Sequence, residues 1–317
     1  MIKRKKEGHS MSLKTKVLLS RIEKTFNLLS EKLRKKGIVR GKIVTDNIKM
    51  PVLRLFYSEY RPVLYVGDDK EFSSIRKAVR KSNDTPKYPV EIKIFPGVYK
   101  ESIKLRGGRY ITLSGEDKKG CILRDDSGDY WNPPLELAGQ SRVFNMTIIA
   151  TNEENKTNIL PSYAIHHDFD GEGVSVISNC DLISHQHAAI GIGLRNNQTL
   201  KIENSNLYSA VESTLFIHNR VKNDAENQKL IVKDSVIEST TGSPVWIQDS
   251  NHSLGGGFGD KKDTELTFQN NTFKSKGLKE SEFLGKIEPP LEAGCITGYI
   301  KLSLDSKGNN IEAFNAK

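Results

Sequence analysis

The chain has 317 residues, 36% hydrophobic content and a formal net charge of +9 at pH 7. That length can bury one large core. The basic excess is concentrated in residues 1–42 and leaves the body nearly neutral, which speaks against a nucleic-acid-binding surface. No apolar run is long enough for a signal-peptide core or a membrane span. The three scattered cysteines, Cys121, Cys180 and Cys295, give neither a disulfide framework nor metal-ligand spacing.

In chain order, Lys5-Lys6-Glu7-Gly8 stands just before Met11 and would be encoded by purine-rich codons resembling a ribosome-binding site. Met11 is therefore expected to be the natural start; an intact Met1 in natively expressed protein would refute this. Residues 13–36 carry a narrow apolar stripe, Leu18, Ile22, Phe26, Leu29 and Leu33, which predicts a helix closed by Gly37. Such a stripe serves either as a coiled-coil seam or as a helix laid on its own domain, and the seam reading makes the protein a homo-oligomer, with a trimer favoured. Residues 1–37 thus form a basic arm and helical stalk, and 38–67 a β-rich connector.

From residue 68 onward the pattern changes. Asp68 and Asp69 are expected to cap a short helix over 71–82, whose Phe72, Ile75, Ala78 and Val79 cover the open end of a solenoid. Strands are predicted at 90–95, 102–105, 110–114 and 121–124. An eight-residue frame then recurs as VFNMTIIA (143–150), ISNCDLIS (177–184), IENSNLYS (202–209), VKDSVIES (232–239) and FQNNTFKS (268–275). Its third position is Asn145, Asn179, Asn204, Asp234 and Asn270; the first and sixth are apolar and the eighth is small. Each frame holds two β-like runs around a polar corner, too short to fold alone, at a spacing typical of repeats. Stacked in parallel, the corner amides bond to the rungs above and below, and the apolar columns make one core. Closing strands are predicted at 295–304 and 311–314. The fold expected for 68–317 is all-β: a right-handed, single-stranded parallel β-helix of roughly eight rungs.

The capping helix, EIKIFPGVYKESIKL and ITLSGEDKKGCIL resemble the opening of pectin methylesterases, within the pectin-lyase-like superfamily of right-handed parallel β-helices. Gly97, Tyr99 and Glu101 match a Gly-x-Tyr-x-Glu element of that family, read here as structural. The family's catalytic elements are absent. Their expected places hold HQHAAIGIG (185–193) and VESTLFIHN (211–219), so no catalytic role is carried over. These departures resemble pectin-lyase-like proteins of phages and prophages. That resemblance implies a virion protein made in a bacterial cytoplasm, with a bacterial surface polysaccharide and other virion proteins as partners.

A second repeated segment precedes each frame: YAIHHD (163–168), AAIGIG (188–193), LFIHNR (215–220) and VWIQDS (245–250). Aligning Ile165, Ile190, Ile217 and Ile247 inward puts His166, Gly191, His218 and Gln248 in one outward column. His166, Asp168 and His218 are the candidate acid/base residues. His167, Gln186, His187, Gly191, Gly193, Asn219, Trp246 and Gln248 are candidate glycan contacts, with the two glycines leaving a bare floor. Five of the seven histidines fall in 166–218. No metal or cofactor is expected, and neither nucleic acid nor membrane as a partner. Two functions fit: a phage tail fibre, spike or baseplate protein that binds the glycan, or a carbohydrate-active enzyme (lyase, hydrolase or esterase) that turns it over in the same groove.

Overall fold

The computed structural model describes residues 61–125, 132–150, 163–185, 187–211, 213–219, 226–242, 244–248 and 264–276, with short strands at 40–42, 56–58, 300–304 and 310–314. The chain divides into two units, residues 1–62 and 63–317. In the first, Arg40–Lys42 pairs antiparallel with Phe56–Ser58. The helix expected over 13–36 lies outside the described residues, as does Cys295.

The second unit is a parallel β-helix built from three sheets, right-handed as parallel crossovers require. Sheet A has nine strands, from Val63–Val66 at one end to Ile300–Leu304 at the other; sheet B has eight, from Gly97–Lys100 to Asn310–Phe314; sheet C has six, from Ile103–Leu105 to Val245–Gln248. Val63–Val66 pairs with Val90–Ile94, so the last strand assigned to the connector is the first of the solenoid. The tail strands close sheets A and B against Thr264–Gln269 and Thr272–Lys276.

The repeated frame is the corner between sheets A and B. Phe144 and Thr147, Ser178 and Asp181, Glu203 and Asn206, Lys233 and Val236, and Gln269 and Thr272 flank it, so two residues suffice for each turn. Turning that sharply needs a left-handed backbone. Asn145, Asn179, Asn204, Asp234 and Asn270 supply it at φ of 54°, 51°, 50°, 52° and 54°, which short polar side chains tolerate better than others. The side chains also ladder: Asn179 Nδ2 donates to Asn145 Oδ1 at 2.7 Å, and Asn270 Nδ2 donates to Asp234 Oδ1. Inside the corner, Val143, Ile177, Ile202, Val232 and Phe268 stack as a fully buried column, with Ile148, Leu182, Leu207, Ile237 and Phe273 opposite.

The small eighth position has a second use. Ser184, Ser209, Ser239 and Ser275 are buried, and their hydroxyls satisfy the turns leading toward sheet C. Ser184 Oγ accepts from His187 N at 3.1 Å and Ser239 Oγ from Gly242 N at 3.0 Å, while Ser275 Oγ donates to Gly242 O. A larger residue would fill the space and leave those backbone groups unsatisfied.

The capping helix, α1, spans Ile75–Lys81 and buries Ile75, Ala78 and Val79 at the first-strand end of sheet A. Its cap differs from the expectation. Residues 67–72 close a tight turn instead of starting the helix, with Gly67 N donating to Phe72 O and Phe72 N to Tyr65 O. The N-cap is Ser74, whose side chain accepts from Lys77 N, and no acidic residue lies in the first turn. The negative charge comes from Glu101, 26 residues onward, which accepts from Ile75 N at 3.0 Å, Arg76 N at 2.9 Å and Ser74 Oγ at 2.8 Å. A carboxylate on those free amides complements the helix dipole. Tyr99 donates to Phe95 O at 2.7 Å and packs its ring at 3.3 Å from where a Gly97 side chain would begin. The Gly97-x-Tyr99-x-Glu101 element thus ties rung to cap.

The corner offers a direct test. Asn179→Ala is expected to cost about 2 kcal/mol, from the left-handed backbone and the lost ladder bond together. Asn179→Gly, which keeps the backbone freedom, should cost about half as much. Equal shifts of the urea midpoint for both would show that backbone conformation does not set the corner.

Candidate functional site on the outer face of sheet C

Sheet C runs Ile103–Leu105, Leu135–Leu137, Ile165–His167, Ile190–Leu194, Leu215–Asn219 and Val245–Gln248. Its register corrects the isoleucine alignment: Ile165 and Ile190 pair onward with Leu215 and Val245, while Ile192 pairs with Ile217 and Ile247. The shift is two residues, so every side chain keeps its face, but the columns change. The outward column through His166 reads Lys104, Glu136, His166, Gly191, Phe216 and Trp246. His218 stands instead in the column of Gly193 and Gln248, one residue past the His167–Ile192 pair and thus in line with Asp168.

The corrected register still gathers the three candidate acid/base residues. Asp168 Oδ2 lies 3.6 Å from His166 Nε2 and 3.9 Å from His218 Nε2. The second contact spans two rungs, roughly 10 Å of backbone separation, and the intervening column position is Gly193. Its missing side chain leaves the path between carboxylate and imidazole clear. Arg195 completes the cluster: Nη2 lies 3.3 Å from Asp168 Oδ1, and Nη1 donates to Asp170 Oδ1 at 2.7 Å. Asp168 is 6% exposed and His218 2%, so the carboxylate sits in a low-dielectric setting where its cationic neighbours count for more than they would in water.

The turn carrying Asp168 is fixed by backbone packing. Gln198 Nε2 donates to both Phe169 O and Gly171 O. A Cβ at Gly107 would stand 2.1 Å from Asp170 O, and one at Gly171 2.7 Å from Gly107 Cα. Glycine at both positions lets the 168–171 turn press onto Gly139 of the rung below and Gly107 of the rung before it. Phe169 in turn meets the His166 ring edge-on at 5.2 Å and receives the Arg106 guanidinium over its face at 4.5 Å.

Beside the charged cluster lies an aromatic row. The Tyr163 ring is 5.0 Å from His166, 5.1 Å from His187 and stacked with Phe216 at 6.4 Å; Phe216 meets Trp246 edge-on at 6.0 Å. Gly191 is not a bare floor: a Cβ there would stand 2.6 Å from the Tyr163 ring, which covers it. Tyr163 is buried, whereas Trp246 is 50% exposed.

The other candidates divide. His187 joins the row, and its Nδ1 accepts from Ala188 N. Asn219 and Gln248 lie on the sheet C strands, and Gln186 lies outside the described residues. His167 faces the interior in the column of Leu137 and Ile192, 1% exposed, with Nε2 3.3 Å from Ser175 Oγ. It has no direct path to a glycan on the outer face. Burial pushes its pKa down to about 4, so it is a neutral core imidazole. Glu136, not singled out from the sequence, also belongs to this face; it is 2% exposed and held by Arg106 Nε and Nη2, with Lys104 Nζ at 3.5 Å. Burial raises the thiol pKa of Cys121, and that of Cys180 to about 12, which keeps both unreactive. Among the described residues no group of three His, Cys, Asp or Glu side chains is arranged to hold a metal ion.

Known proteins resemble the chain in shape only. No protein-family model matches it, and no curated protein sequence does. Solved structures do. A pectin methylesterase from Aspergillus niger is similar at 13% identity and a TM-score of 0.48, covering 80% of this chain and 85% of the other. Pectin methylesterase from carrot gives 11% identity and 0.42, covering 82% and 84%. PemA from Erwinia chrysanthemi gives 13% and 0.43, covering 82% and 90%.

Proposed function

We propose that the chain is a carbohydrate-active enzyme acting on a surface glycan through the outer face of sheet C, as a lyase, hydrolase or esterase. The observation that carries this reading is the Asp168 carboxylate poised between His166 and His218 and backed by Arg195. His166 is the member open to the outer face. As a general acid/base it would exchange a proton with the glycan or an attacking water, and Asp168 would stabilise the imidazolium that forms. Arg195 and His218 hold Asp168 in place. Several solved structures similar in shape are of pectin methylesterases, two of them in complex with a hexasaccharide, which agrees with a glycan as ligand.

The burial of Asp168 and His218 favours a second reading, binding without turnover, since substrate reaches neither unless neighbouring groups move. In that reading the protein is a virion fibre, spike or baseplate component engaging a bacterial surface polysaccharide. One experiment separates the two. Incubation with cell-wall and capsular polysaccharides from Gram-positive bacteria is expected to yield shortened or deacylated product. Glycan that co-sediments with the protein but stays unchanged would refute turnover and leave the binding reading.

A further inference from the structure

Resting on the glycan reading above, we infer that the outer face of sheet C takes an uncharged glycan, a neutral hexose or N-acetylhexosamine stretch, and not a uronate polymer. The charges of this face are already engaged. Its described Lys and Arg side chains are Lys104, Arg106 and Arg195. Arg106 grips Glu136 with two nitrogens, and Lys104 lies 3.5 Å from the same carboxylate. Arg195 is held by Asp168 and Asp170. Each guanidinium therefore faces a carboxylate of the chain itself. A uronate is best held by the fork of a guanidinium. At Arg106 it would have to pull the buried Glu136 from its closest partner, at a cost; at Arg195 it would have to compete with the exposed Asp170 and the buried Asp168.

The part of the face without charge is aromatic. Phe216 and Trp246 occupy one column on adjacent rungs with their rings 6.0 Å apart, and Trp246 is half exposed. An exposed indole beside a phenyl ring offers an apolar platform for the C–H faces of sugars, with an indole N–H available to a hydroxyl. Paired charges on one side and an open apolar platform on the other complement a ligand without charge. Phe216 shares the rung of His218 and Trp246 lies one rung beyond, so a glycan lying along the helix axis would rest on Trp246 and extend toward His166.

Calorimetric titration of the full chain at low salt with chitohexaose, cellohexaose and hexagalacturonate tests this. At least one neutral oligomer is expected to bind, with hexagalacturonate weaker by about ten-fold or more. Trp246→Ala should weaken neutral binding by roughly ten-fold, and Trp246→Phe by less. Glu136→Gln, which removes the carboxylate from Arg106 and Lys104, should gain hexagalacturonate affinity that high salt abolishes. Hexagalacturonate binding as tightly as the neutral oligomers would overturn the inference while leaving a glycan-active protein. Unchanged affinity in Trp246→Ala, or no uronate gain in folded Glu136→Gln, would also overturn it. Binding of none of the three would bring down the glycan reading and the inference with it.

Discussion

Replacing Asp168 with asparagine is expected to lower glycan turnover by about 10²- to 10⁴-fold while leaving glycan affinity within a few-fold. The amide is nearly isosteric, so it can still accept from Arg195 and keep the 168–171 turn packed on Gly107. What it lacks is the negative charge that favours the imidazolium of His166 3.6 Å away. The effect should therefore appear in kcat with KM almost unchanged. Loss of affinity in step with turnover would assign Asp168 to glycan binding and remove its role in stabilising the imidazolium. Far-UV circular dichroism and a urea midpoint near that of the parent protein would show that the fold survives the substitution.

A second large effect concerns stability at low pH, and it comes from His167 facing the interior. Its pKa in the folded chain is about 4, lowered chiefly by burial, against about 6.5 for a solvated imidazole. Between those values the unfolded chain binds a proton that the folded chain refuses. Stability is therefore fully retained above pH 6.5 and falls as pH drops toward 4, by roughly 3 kcal/mol in all. His167→Leu keeps the volume and removes the proton site. Ser175 Oγ keeps its bond to Gly139 O at 2.9 Å, so no hydroxyl is stranded by the change. The difference between the urea midpoints of parent and variant should thus grow in favour of His167→Leu as pH falls from 7 to 4. A difference that stays constant over that range would mean His167 titrates alike in both states.

The corner frames made the helical coil legible in the sequence because their constraint is local. A two-residue turn through a left-handed position selects asparagine or aspartate wherever it occurs, and the flanking apolar residues mark the inward columns. Sheet C was less legible because its strands are apolar at alternate positions. Leu215 and Ile217 both point inward, and either could be matched to Ile190; the wrong choice kept the face but displaced His218 by one column. Alternation from Ile165 already separates His166 from the inward His167, and the contact with Ser175, on the next strand of sheet A, shows what the inner ring meets. Glu136 carried no visible signal, since its partner Arg106 stands 30 residues earlier. The cap was misassigned for the same reason: Glu101 reaches α1 from 26 residues away, and nearer acidic residues offered a local answer.

The two-residue corner between sheets A and B has a consequence for the inheritance of length. Successive frames lie 34, 25, 30 and 36 residues apart, yet each of the five corners they form keeps two residues between its strands. All that variation is absorbed on either side of sheet C, between the small residue that ends each frame and the next strand of sheet A. Insertions and deletions are thus channelled to the margins of one face, and the apolar columns beneath do not register them. The molecule behaves as a ruler with a fixed edge and an editable one. Whatever ligand sheet C meets can be exchanged by rewriting its borders, without renegotiating the spine that keeps the rungs in step.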